Sequence, residues 1–136
     1  MNESLRVIVY LAMIAAHIFA DYNLQGILAT MKQKSEWLKY DGHDDNMNKY
    51  DYKAALFAHS FMWTFVIFIP IMISNYLTNS GYYVNLCLFA IIFASNVIIH
   101  YETDDAKANK HIISLITDQI IHMIQISATY LIGINF

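Results

Sequence analysis

Apolar and polar stretches alternate along this chain. Residues 5–28, 54–77, 83–100 and 112–134 are four mostly apolar runs. Each falls in the range of about 17–25 residues that a helix needs to cross a hydrocarbon layer. The polar positions inside them recur at helical spacing. In the fourth run Asp118, His122, Gln125 and Thr129 form one stripe on an otherwise apolar helix. Pro70 lies inside the second run, where a membrane helix tolerates a kink. Between the runs lie a long polar segment (29–53), a short tyrosine-bearing turn (76–83) suited to a membrane surface, and a polar loop (101–111). Trp37 and Leu38, set among lysines, suggest a short interfacial helix. Residues 41–46 look like a solvated turn without the spacing of a calcium loop. The pattern predicts an all-α, polytopic membrane protein: one domain over residues 1–136, folded as an antiparallel bundle of four transmembrane helices.

Composition strengthens this picture. Of 136 residues, 57% are hydrophobic and 14% charged, against about 45–50% and about 25% in soluble domains. The mean hydropathy is +0.38. A signal peptide is the rival reading of the first run, but Ile18 and Phe19 are bulky where a cleavage site needs small residues. A net charge of -3, spread along the chain, argues against a nucleic-acid partner. Cys87 is the single cysteine, so neither an internal disulfide nor a thiolate metal cage can form. Arg6 is the one basic residue on the side of the termini, and the other Lys residues fall in 29–53 and 101–111. The positive-inside rule then puts those two segments in the cytoplasm, with the protein in the inner (cytoplasmic) membrane.

That topology gives the ionisable residues a common depth. His59 follows Lys53 by six residues, about 9 Å at 1.5 Å per residue, and Asp118 lies as far past Ile112. His17 and Asp21, His100 and Asp104, and Asp118 and His122 are each four apart, on one helical face. The seven residues His17, Asp21, His59, His100, Asp104, Asp118 and His122 are all expected in the cytoplasmic half. Charges inside a membrane are expensive unless paired, and imidazoles with carboxylates are a ligand set for zinc first, with iron or manganese as alternatives. Asn96, Gln25, Gln119 and Gln125 are candidates to orient these ligands. The simpler account is that the His–Asp pairs only glue helices together.

These residues resemble a family of small bacterial and phage membrane proteins catalogued as domain of unknown function three-three-zero-seven. Its pattern of His-x3-Asp-aromatic-x-Leu-Gln is matched by His17, Asp21, Tyr22, Leu24 and Gln25. A lysine about a dozen residues later corresponds to Lys32 or Lys34, and the histidine opening the second helix to His59. His-x3-Asp-x2-Lys is met by His100, Asp104 and Lys107, and Asp-Gln-x2-His by Asp118, Gln119 and His122. The resemblance covers nearly the whole chain and brings no activity with it. The chain also looks like membrane proteins classed as metal-dependent hydrolases, through shared intramembrane His and Asp motifs.

Three functions follow. The first is a metal-dependent hydrolase acting on a lipid, a phosphoester or another small amphipathic substrate at the bilayer. In it Asp104 or Asp118 is the general base, and Lys107 holds an anionic head group. The second is a structural or regulatory membrane protein, such as a phage factor acting on a host envelope, with a second copy of the chain among its candidate partners. The third is a small-solute or metal transporter, disfavoured because the outer half carries few polar groups.

Overall fold

The structure is a computed structural model describing residues 2–40, 49–78 and 86–134. The helices are α1 (Glu3–Ile18), α2 (Leu28–Met31), α3 (Lys34–Tyr40), α4 (Asp51–Thr78), α5 (Leu86–Ala108) and α6 (Leu115–Gly133). No strand occurs among the described residues. Local chemistry sets the ends. Asn2 Oδ1 accepts the Leu5 N–H at 2.8 Å with Glu3 in the first turn, and Ser114 Oγ accepts from the Thr117 N–H at 3.2 Å. Both side chains satisfy amides that a helix start leaves open.

Four long helices pack side by side in the cyclic order α1, α4, α5, α6, with neighbours antiparallel. The Tyr10 and Ser127 hydroxyls lie 2.8 Å apart, and the Tyr130 hydroxyl donates to the Arg6 carbonyl at 3.1 Å, joining α1 to α6. Phe61 meets Phe93 and Phe68 meets Phe89, joining α4 to α5. Asn96 Nδ2 donates to Thr129 Oγ1 at 2.8 Å between α5 and α6. Met13, Trp63, Ile67, Ile71 and Ile126 fill the apolar part of the interior. Ile8, Leu11, Ile91, Ile98, Ile120 and Ile124 face outward. Polar groups gather inside and aliphatic ones outside, the reverse of a water-soluble domain and the arrangement that hydrocarbon surroundings require. Three helical stretches, Glu3–Asn23, Asp51–Thr78 and Leu86–Ala108, are long and apolar enough to cross a membrane. The 19 residues of α6 include Asp118, Gln119, His122 and Gln125 on its buried side and fall outside that group.

Several boundaries differ from those the hydropathy suggests. The first run is not one helix. After Ile18 the chain widens into a π-helical turn, Phe19–Asn23, and Gly26 then adopts the left-handed conformation, φ +46°, that lets it reverse. In the segment after it, the short helix expected around Trp37 and Leu38 is α3, with α2 ahead of it. α2 and α3 fold back against α4, and Trp37 Nε1 donates to the Met31 carbonyl at 2.6 Å. The third run does not stop at His100. α5 continues to Ala108, so most of the expected 101–111 loop is helix. Asn109 then ties this end to the returning segment, accepting from the Lys34 N–H at 2.7 Å and donating to the Lys32 carbonyl at 3.1 Å. Pro70 sits within α4, which runs unbroken through it. The turn expected at residues 41–46 and most of the one at 76–83 lie outside the described residues.

Candidate metal centre

All four long helices send ionisable side chains to one end of the bundle. His17 comes from α1, Asp21 from the π-helical turn, His59 from α4, His100, Asp104 and Lys107 from α5, and Asp118 and His122 from α6. His100, Asp118 and His122 are fully buried, Asp104 is 1% exposed, His17 and His59 are 2% exposed, and Asp21 is 8% exposed. Lys32, carried by the returning segment just after α2, is also buried.

His59 Nε2 is the hub of one half of the cluster. It lies 3.2 Å from His100 Nε2, 3.4 Å from Asp21 Oδ1 and 3.3 Å from Asp104 Oδ2. His100 Nε2 is 3.9 Å from the same Asp21 oxygen and 3.8 Å from the same Asp104 oxygen. Ligand bonds of about 2.0–2.1 Å to a tetrahedral ion put the donor atoms about 3.3–3.4 Å apart, close to these separations. Among the described residues, Asp21, His59 and His100 form one group able to hold a metal ion, and His100, Asp104 and His122 another. His100 stacks on Trp63 and on His122, at 4.2 Å between ring centroids in each case, and those two rings also meet each other at 5.4 Å.

The lysines decide where charge remains uncompensated. Lys32 Nζ donates to Asp104 Oδ2 at 2.6 Å, and Lys107 Nζ to Asp118 Oδ2 at 2.5 Å. Desolvating an ion costs several kcal/mol, and these two ammonium groups offset that cost for two carboxylates. Asp21 is different: its ion pairs among the described residues are with imidazoles alone, and its Oδ1 has no hydrogen-bond partner.

A hydrogen-bonded frame holds the carboxylates in place. Trp63 Nε1 donates to His17 Nδ1 at 2.8 Å, so that nitrogen is an acceptor and the His17 proton sits on Nε2. Nε2 faces Gln119 Oε1 at 3.1 Å, which turns the amide nitrogen toward Asp118 Oδ2 (3.0 Å) and Asp21 Oδ2 (3.4 Å). Gln125 Nε2 donates to the Asn96 carbonyl and Oδ1, presenting its oxygen to His122 Nδ1 at 3.3 Å.

Set against the sequence, the eight expected side chains, Lys107 included, converge in space with unequal parts. Both ring nitrogens of His17 are engaged in hydrogen bonds, which makes it an orienting residue rather than an open ligand. Gln119, Gln125 and Asn96 touch the cluster or its supports, whereas no side-chain bond ties Gln25 to it. Asp104 and Asp118, expected as general bases, are each held by a lysine, and Lys107, expected to meet a head group, is held by Asp118. Of the two lysines that the motif likeness offers, Lys32 joins the cluster, and Trp63 is a member that no motif named. Trp63 follows His59 by four residues, a spacing that places it on the same face. No family model, no curated protein and no solved structure matches this chain.

Proposed function

We propose that this chain is a four-span membrane protein whose bundle holds a divalent ion at Asp21, His59 and His100, with Asp104 beside them, and uses it to hydrolyse an ester or phosphoester of a lipid. The observation that carries the reading is the unpartnered Asp21 Oδ1, buried and facing two imidazole nitrogens. A buried acceptor without a donor costs about 1–3 kcal/mol, and a cation there removes that cost. Zinc, iron and manganese suit the nitrogen and oxygen donors. A zinc ion held there could lower the pKa of its bound water from 15.7 toward about 7, which would supply a nucleophile at neutral pH.

Two features support a lipid substrate. Gln119, which bonds Asp21 and Asp118, also lines an apolar groove of about 740 Å³ on the outer face of α6, with Tyr22, Ile120, Met123 and Ile124. An acyl chain lying there is one side chain away from the cluster. The Lys107 side chain, 26% exposed, is the most open charged member of the cluster and marks its mouth. An anionic head group reaching it competes with Asp118. The three helical stretches long and apolar enough to cross a membrane support the membrane location, and the basic residues of 29–53 and 101–111 support a cytoplasmic mouth.

The test is elemental analysis of the detergent-purified protein, followed by ester and phosphodiester hydrolysis assays before and after chelation. We expect about one tightly held divalent ion per chain and activity that chelation removes. Protein without bound metal after loading with zinc, manganese or iron overturns the reading. A second reading then stands, favoured by the Lys32–Asp104 and Lys107–Asp118 pairs: a non-enzymatic membrane protein in which the cluster only fastens helices.

A further inference from the structure

The ion proposed above occupies one half of the cluster. The other half contains two more buried atoms without hydrogen-bond partners, His122 Nε2 and Asp118 Oδ1, which lie 3.4 Å apart. Asp104 Oδ1 is 3.7 Å from the same His122 nitrogen. The frame fixes what these atoms are. Asn96 holds the Gln125 amide so that its oxygen meets His122 Nδ1. In the neutral ring the proton then sits on Nδ1, and Nε2 is a bare lone pair. With His122 neutral, its Nε2 is a third acceptor beside Asp118 Oδ1 and Asp104 Oδ1, an arrangement that a cation stabilises.

Asp104 joins the two halves. Its Oδ2 faces His59 and His100, while its Oδ1 faces His122. We propose that the cluster binds a second divalent ion between Asp104 Oδ1, Asp118 Oδ1 and His122 Nε2, with the Asp104 carboxylate bridging it to the first. This rests on the single-ion reading and extends it to a two-metal site, the kind whose ions lie about 3.5–4 Å apart and stabilise both the attacking and leaving oxygens of a phosphoester. Lys107 stays on the outer oxygen of Asp118, 2.5 Å from Oδ2 and 3.9 Å from Asp104 Oδ1. Charge sets the order of binding. Three carboxylates and two ammonium groups, with neutral histidines, leave the cluster at −1. One dication brings it to +1, so the second ion is the weaker and favours an accompanying anion, such as the phosphate of a phosphoester.

Two other occupants compete for this position: a proton on His122 Nε2, and the Lys107 ammonium swung inward. The experiment separates them. Purified full-length protein is titrated with manganese alone, then with manganese plus inorganic phosphate, reading bound metal per chain and the electron paramagnetic resonance spectrum. We expect two ions per chain, the second tightened by phosphate, and the spectrum of an exchange-coupled pair. His122→Ala is expected to hold one ion with an isolated-ion spectrum, and Asp21→Asn to weaken the other position. The unmodified protein supplies the decisive reading if a variant fails to fold. One ion per chain in the unmodified protein, with no coupled spectrum at saturating manganese and phosphate, overturns the second site and leaves the first standing. No ion at all overturns both. Two ions in Lys107→Gln against one in the unmodified protein shows that the lysine fills the position, and overturns the proposal for the native chain.

Discussion

Lys32 Nζ sits 2.6 Å from Asp104 Oδ2, both side chains buried, although 72 positions separate them in sequence. The pair ties the returning segment after α1 to the inner end of α5. Removing one partner of a buried ion pair costs about 3–5 kcal/mol, because the other charge is left alone. Lys32→Met is therefore expected to lower stability in detergent by that order. Adding Asp104→Asn should recover part of the loss. Thermal unfolding of the single and double variants checks this, and a single variant as stable as the parent would remove the pair from any account of the fold.

The Trp63–His17 bond fixes a tautomer. Nitrogen-15 NMR of labelled histidine should show His17 neutral, with its proton on Nε2. Trp63→Phe removes the donor and leaves a buried acceptor, at a cost of about 1–3 kcal/mol before any loss of packing. The same variant should mix the His17 tautomers. An unchanged His17 signal in Trp63→Phe contradicts the chain of bonds from Trp63 through Gln119 to the carboxylates.

Ion removal should destabilise the bundle as well as silence it. A ligand at 100 times its Kd stabilises the folded state by about 2.7 kcal/mol. Chelation is thus expected to lower the unfolding temperature of the parent protein and to leave Asp21→Asn nearly unmoved. A chelation effect of equal size in the two proteins points to metal bound elsewhere.

The orientation in the membrane has its own test. In a Cys87→Ser background, single cysteines at Ser4 and at Ser35, both exposed, should react with impermeant reagents from opposite faces of the membrane. Reaction of both from one face contradicts the proposed orientation.

How much of this was legible in the sequence depends on the kind of signal. The four-residue spacings within His17/Asp21, His100/Asp104 and Asp118/His122 survive because a helix brings such pairs together whatever surrounds it. The inward turn of Lys32 was not legible. It depends on the π-helical turn and on the reversal at Gly26, and the motif likeness narrowed five lysines to Lys32 or Lys34 without saying which is buried or what it meets. The two extra turns of α5 were hidden for a related reason. Glu102, Asp104, Asp105 and Lys107 read as a loop because charge density is taken for solvent exposure. Here two of those charges point into the bundle and Asp105 meets Asn109 and Lys110. What the cluster binds is not written in spacing at all. It depends on which acceptors are left without donors, and only the packed structure reveals that.

The two lysine–aspartate pairs differ in how they can form during biogenesis. Lys107 and Asp118 are 11 residues apart, at the facing ends of α5 and α6, so the α5–α6 hairpin can neutralise both by itself, whatever the four earlier helices have done. In the proposed four-span topology α6 brings Asp118 into hydrocarbon, and it gains its counterion from the segment emerging just ahead of it. The hairpin, rather than the isolated helix, is then the unit that the insertion machinery must accept. Lys32, made 72 residues before Asp104, has to wait for α5 before its charge is met.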